Sequence, residues 1–243
     1  MEQDKRLKFN PKNHHYTLEI DGIDKPITGV TTILKVISKP ALINWAANMA
    51  VDYIANKFKE FNYPVITDDN LLPWLKEARS VHYQTRDKAG DIGKIVHKHC
   101  ENYINGKPFI TGIPQELKMV DNFVGWTKEN KVKFLQSERQ VYSEKYWFCG
   151  TYDFLCEIDG KVWLGDIKTS SGIYPDMFFQ TAGYQICEEE MGQTKIDGHI
   201  ILNLKKDGKF LEKRSISNKQ NKEAFLSALT LYRAIESIKG KTL

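Results

Sequence analysis

The sequence predicts a mixed α/β fold, a central β-sheet flanked by helices on both faces. Three observations carry that expectation. Apolar residues recur at helical spacing over several long stretches. Residues 133–169 alternate β-branched and aromatic residues around an Asp159-Gly160 pair, a strong hairpin signal. Helix and strand signals also interleave in the order helix, strands, helix, hairpin, helix.

The elements follow in chain order. Residues 16–34 read as a hairpin, with a strand at 16–20, a turn at Asp21-Gly22, and a return strand containing Val30, Thr31, Thr32 and Ile33. Pro40 opens a helix over 41–58, where Ile43, Ala47, Ala50, Tyr53 and Ile54 share one face. Asp68 and Asp69 occupy the cap region of the next helix, and Asp91-Ile92-Gly93 interrupts a long helical run that ends at Ile104. Asn105-Gly106-Lys107-Pro108 is a turn. A helix is expected over 114–130, another over 175–191, a hairpin over 198–216 around Asp207-Gly208, and a last amphipathic helix over 219–238. At 243 residues the chain reads as a single domain: an N-terminal hairpin region (1–40), a helical elaboration (41–130) and an α/β core (131–243).

Bulk properties exclude several classes. A chain of this length buries enough surface to need neither a metal nor a disulfide for stability. The net charge of +4 tolerates a nucleic-acid partner without requiring one. The four cysteines, Cys100, Cys149, Cys156 and Cys187, form no C-x-x-C pair, which argues against zinc. No apolar stretch approaches the roughly 20 residues of a membrane span, and residues 1–9 carry no apolar signal core. The expectation is a cytoplasmic protein with no membrane partner.

The chemistry concentrates at Gly150-Thr151-Tyr152-Asp153 and Asp166-Ile167-Lys168. Residues two apart in a strand share a face, so Asp166 and Lys168 project together. Pairing around Asp159-Gly160 brings Asp153 onto the neighbouring strand. Two converging carboxylates repel one another inside a core, and a divalent cation relieves that cost. Mg²⁺ held by carboxylates suits phosphodiester hydrolysis, with Lys168 orienting the attacking water and balancing charge. The plain alternative is a surface hairpin carrying a salt bridge, since Asp-x-Lys is a common tripeptide.

Three further features keep company with this pair. Gln180 and Tyr184 are four apart on one helix face, beside small Ala182 and Gly183; a half-buried Tyr184 on an ordinary amphipathic helix is the alternative. His97 lies one helical turn before Glu101 and offers a ring nitrogen to a metal, although a lone helical histidine is commonly structural. Glu138 is a possible extra acid or a solvated strand residue. Trp45, Trp74, Tyr83, Lys76, Arg79 and Arg86, within 41–104, suit stacking and phosphate contact, with Trp45 better read as core.

Taken in order, Gly93…His97, Gly150…Asp153, Asp166-Ile167-Lys168 with Thr169 following, and Gln180…Tyr184 resemble the RecB-type branch of the PD-(D/E)XK nuclease superfamily. Residues 29–34 and 39–47 resemble phage and prophage members of that branch. The resemblance implies a restriction-endonuclease-like core. It implies metal ligation by His97, Asp153, Asp166 and the Ile167 carbonyl, service of the water by Lys168, and substrate support from Gln180 and Tyr184. Glu101, Glu138 and Thr169 are additional candidates. The implied cofactor is Mg²⁺ or Mn²⁺. Some relatives carry an iron–sulfur cluster on one upstream and three C-terminal cysteines; nothing cysteine-rich follows Cys187, so none is expected here. The implied activity is a DNA exonuclease or end- or flap-processing nuclease of phage replication or recombination, acting on DNA that is single-stranded or has a free end. A recombinase, single-strand-binding protein or helicase is the implied partner, because the chain has no nucleotide-binding phosphate loop of its own. A structure-specific endonuclease or junction resolvase, or an inactive DNA-binding module, are the alternatives.

Overall fold

The computed structural model describes residues 4–60, 66–108, 114–192 and 194–240. The chain divides into two units, one formed by Met1–Ile37 with Val96–Leu243 and the other by Ser38–Ile95.

The first unit is α/β, with a mixed sheet of eight strands. The strands are β1 (Leu7–Asn10), β2 (His15–Ile20), β3 (Ile23–Gly29), β4 (Lys133–Ser143), β5 (Phe148–Ile158), β6 (Lys161–Lys168), β7 (Gly198–Leu204) and β8 (Phe210–Ser215). The helices of this unit are α1 (Val30–Ile33), α5 (Pro114–Glu129), α6 (Pro175–Glu190) and α7 (Asn218–Ile238), with residues 96–104 of α4 (Val81–Ile104).

The strand order is β1-β2-β3-β5-β6-β7-β8, with β4 also paired to β5. β4 runs antiparallel along β5 from Ser143↔Phe148 to Lys133↔Glu157. The opposite edge of β5 is divided. β3 pairs in parallel with Phe148 and Cys149, whereas β6 pairs antiparallel with 154–158. Residues 150–153 therefore lie beyond the registered pairing of β5 with either β3 or β6, although β6 itself continues to Lys168. The Asp159-Gly160 turn is as expected: both residues have positive φ, 50° and 72°, as a tight hairpin turn requires.

One sheet face packs on α6, α7 and α1 through Val30, Ile33, Phe148, Tyr152, Leu155, Leu164, Tyr184 and Phe225. The other carries an aromatic cluster in which Phe123 of α5 meets Phe134 at 6.0 Å and Phe154 at 6.2 Å. Phe154 lies across Gly165, where any side chain would overlap its ring.

Three expectations are corrected. Val30, Thr31, Thr32 and Ile33 form a helical turn, not a strand. Val30 and Ile33, three apart, both reach the core there, and burial overrides β-propensity. Asp91-Ile92-Gly93 does not interrupt α4; the break falls at Arg79 and Ser80, where Ser80 Oγ donates to the Glu77 carbonyl. A glycine costs a helix only about 1 kcal/mol, too little to end a run of 24 residues. Asp68 and Asp69 sit inside the first turn of α3 (Asp68–Ala78), and Thr67 is the N-cap. The strand β1 was not anticipated; its pairing with β2 supplies the support that its four residues lack alone.

In the second unit, α2 (Pro40–Glu60) and α3 are joined by Phe58 meeting Trp74 edge-on at 5.8 Å and by Tyr53 bonding Glu77. Trp45 is half-buried, edge-on to His82 at 6.4 Å. Tyr83 is exposed beneath the Arg86 guanidinium. Among the described residues no helix is long and apolar enough to cross a membrane.

His199 on β7 gives the fold a pH signature. It is fully buried, with Nε2 2.8 Å from Gln185 Oε1. Burial, aided by the Lys222 charge, lowers its pKa from 6.5 to about 4. Between those values the unfolded chain binds the proton and the folded chain does not. Stability therefore falls as the pH drops through that window, by up to about 1.4 kcal/mol per pH unit from this residue. In urea melts at pH 7 and pH 5, His199→Gln should lose less stability than the parent; equal losses would refute this assignment.

Candidate functional site

The site is assembled where the β5 edge is divided. Phe154 pairs with Gly165, so the next step along both strands places Asp153 across from Asp166. Strict alternation fails at this point. Tyr152 and Leu155 both join the core against α6, while Phe154 packs on α5. The irregularity re-aims Asp153, as bulges beside functional sites do. Its Oδ2 accepts the Ile167 backbone N–H at 2.5 Å, and its Oδ1 lies 3.3 Å from His97 Nδ1. The final turns of α4 thus deliver His97 to the strand edge.

Glu138 completes this group from β4. The pairs Ser137↔Phe154 and Arg139↔Tyr152 bracket it, which puts Glu138 opposite Asp153. Its φ is +48°, a left-handed conformation uncommon for a glutamate within a strand. Such strain clusters at functional positions. One potential ligand atom from each of His97, Glu138 and Asp153 lies within 4.8 Å of the others.

The second group lies on the α6 side. Lys168 Nζ is 2.6 Å from Asp166 Oδ2. Gln180 ties the pair down: its Oε1 accepts from Lys168 at 3.3 Å, while its Nε2 donates to Asp166 Oδ1 at 3.2 Å and to Tyr184 Oη at 2.9 Å. Pro175 at the first position of α6 starts the helix that stacks Gln180 and Tyr184 one turn apart. Gly150 lets Tyr184 take its place, since any side chain there would overlap the Tyr184 ring.

Electrostatics couple the two groups. Burial alone would lower the His97 pKa, but the Asp153 carboxylate more than offsets it and lifts the imidazole to about 8. Burial pushes Asp153 up, yet His97 and Lys168 hold it below the ordinary aspartate range. Burial raises Asp166 to about 6; the Lys168 charge opposes the rise and the Asp153 charge adds to it. Lys168 is kept charged by Asp166 and Asp153 against its burial. Burial, then the Asp153 charge, lifts Glu138 to about 7. At neutral pH the first group therefore holds protons that an incoming cation would displace.

Seven expected residues thus converge: His97, Glu138, Asp153, Asp166, Lys168, Gln180 and Tyr184. Ile167 adjoins them, with its N–H serving Asp153. Asp166 is engaged by Lys168 and Gln180 and lies outside the three-residue ligand group. Glu101 is paired with Lys98 at 2.7 Å. Thr169 follows the last residue of β6, half-buried. The four cysteines are buried and free.

Two neighbours escaped the sequence reading. Tyr16 of β2 brings its hydroxyl within 3.3 Å of Thr151 Oγ1, two residues before Asp153. Asn203 pairs in register with Lys168 and is fully buried, with neither amide atom hydrogen-bonded. A lone asparagine in the otherwise apolar run 200–204 was the available signal.

No family model matches the chain, and no curated protein matches it. Among solved structures, the crystal structure of SSO0001 aligns with 48% of this chain at 14% identity and a TM-score of 0.29. The chain spans 58% of the length of SSO0001.

Proposed function

We propose that this chain is a metal-dependent DNA nuclease that hydrolyses phosphodiester bonds, acting as an exonuclease or an end- or flap-processing enzyme. The observation that carries the reading is the meeting of two groups of side chains on one strand edge: His97, Glu138 and Asp153 beside Asp166, Lys168, Gln180 and Tyr184. A pure binder of DNA gains little from clustered carboxylates facing phosphate.

The residues fit a hard divalent cation. Two carboxylates and one imidazole suit Mg²⁺ or Mn²⁺, and the histidine favours Mn²⁺ as an activator. His97, Glu138 and Asp153 would hold the ion, with Asp166 adjacent. When bound, such a cation supplies charge neutralisation at the phosphate and a more acidic water. The chain's own groups do the remaining work. Lys168 offers an N–H donor and positive charge to the phosphate or the attacking water. Gln180 holds the Asp166–Lys168 pair in one geometry, and Tyr184 locks the Gln180 amide. The Ile167 N–H fixes the Asp153 carboxylate.

End-labelled linear, flapped and closed circular DNA, each incubated with Mg²⁺ or Mn²⁺, test the proposal. The expected outcome is metal-dependent degradation of linear or flapped DNA, with circular DNA resistant. Cutting of the circle would favour an endonuclease or junction resolvase on the same site, and no cleavage of any substrate with either metal would sink the reading.

A further inference from the structure

Beyond β6 the sheet runs on through β7 to the edge strand β8, and the register carries the face of Asp166 and Lys168 outwards. Asp166 pairs with Ile201, and Ile201 with Lys213; Lys168 pairs with Asn203, and Asn203 with Leu211. Residues in register share a face, so Lys213 and Leu211 lie on the face that bears Asp166 and Lys168, two strand spacings or about 10 Å away. Met177 and Phe178 of α6 cover Ile201 on this face. β8 lies beyond that cover: Leu211 is 42% exposed, and Lys213 is exposed.

The next row towards the turn is basic too. Lys205 donates its N–H to the Lys209 carbonyl, and Gly208 donates back to the Lys205 carbonyl, both at 2.9 Å. Helix α5 fixes this turn from the opposite side of the sheet. Gln115 Nε2 donates to the Lys206 carbonyl at 2.7 Å, and Asn122 Nδ2 to the Gly208 carbonyl at 3.1 Å. Alternation along β8 then lines up Lys209 and Lys213, with Lys205 opposite Lys209, on the site face. From 205 to 213 the acids are Asp207 and Glu212. Glu212 turns to the α5 side, where it accepts from the Trp126 indole at 3.0 Å and pairs with Arg214. Asp207 meets Lys205 and Lys209 at 3.7 and 3.5 Å in solvent, contacts that contribute little. Lys206 and Lys213 form no ion pair among the described residues, and burial lowers the Lys206 pKa with no carboxylate opposing it.

We infer that Lys205, Lys209 and Lys213 form a phosphate-binding shelf that holds the nucleic-acid backbone on the β8 side of the reaction centre. From Lys209 to Lys213 the strand advances about 13 Å, which matches roughly four phosphates of one DNA strand. Ammonium groups on an open strand face position a backbone without reading its bases, and they accept a duplex as readily as a single strand. The inference rests on the nuclease reading for the identity of the polyanion, and it deepens that reading by assigning the residues that hold it.

The test reads binding apart from cleavage. Anisotropy of a fluorescein-labelled oligothymidylate and of a labelled blunt duplex is titrated with the full chain in EDTA at several KCl concentrations. The triple variant Lys205→Gln/Lys209→Gln/Lys213→Gln should weaken binding by about tenfold or more and flatten the plot of log affinity against log salt by roughly 2. The corresponding triple arginine variant should bind like the parent. Acetylation of the unmodified chain, read by mass spectrometry, needs no variant: DNA should protect Lys205, Lys209 and Lys213, while Lys219, exposed on α7, continues to react. An unchanged salt slope in the glutamine variant, or equal acetylation of the three lysines with and without DNA, would overturn the inference even if the chain cleaves DNA. Weakened binding in that variant, without any metal-dependent cleavage by the parent, would uphold the shelf and remove the nuclease reading instead.

Discussion

Replacing Asp166 with alanine should reduce Mg²⁺- or Mn²⁺-dependent DNA cleavage by about a thousandfold or more while leaving the fold largely intact. The carboxylate is buried between Lys168 and Gln180 and faces Asp153 across the strand edge. Its removal takes away negative charge beside the proposed cation ligands and frees Lys168 from the geometry in which, on the proposed reading, it would meet the phosphate. Losing one group aimed at developing charge costs about a hundred- to a thousandfold, and the environment of the proposed cation would change with it. Asp166→Asn keeps an acceptor for the Gln180 amide but removes the charge, so it should be equally inactive and closer to the parent in stability. Rates on end-labelled DNA, with circular dichroism as the fold control, decide the matter. If either variant degrades DNA as fast as the parent, Asp166 has no part in the reaction.

The second large effect is on stability. Arg139 of β4 and Glu188 of α6 form an ion pair, Nε to Oε2 at 3.2 Å, with 5% and 1% of their side chains exposed. Tyr152 Oη donates to the same carboxylate at 3.4 Å. Removing one partner of such a pair strands the other charge in the core, which costs about 3–5 kcal/mol. Arg139→Ala should therefore lower Tm by roughly 6–20 °C, given the 2–4 °C per kcal/mol typical of this chain length. The double variant Arg139→Met/Glu188→Leu should recover most of that loss, since no buried charge remains. A single variant within about 1 °C of the parent would show the pair to be energetically neutral. The consequence reaches the site, because Arg139 anchors β4 beside Glu138, and a loosened strand would let Glu138 leave Asp153.

Much of the sheet was legible because its signals are local. The Asp159-Gly160 turn allows only a tight hairpin, and that hairpin fixes which residues of β5 and β6 oppose one another. Asp153 and Asp166 follow as neighbours. Gln180 and Tyr184 were legible as a pair for a similar reason, since helix periodicity alone stacks them. Val30–Ile33 was misread because the same β-branched residues suit a strand or a short helical turn, and only the core that Val30 and Ile33 enter selects the turn.

The sequence by itself determined the type and order of most elements and singled out the residues of the proposed site. It could not decide how those residues divide their roles. Asp166 turns to Lys168 and Gln180, while Glu138, from a strand more than a dozen residues upstream of Asp153, joins His97 and Asp153. That choice depends on the divided edge of β5, the broken alternation at Asp153 and the left-handed backbone at Glu138. All three arise from packing between distant segments. A local pattern sets periodicity, but the direction of a side chain at an irregularity is set by what the rest of the fold leaves room for.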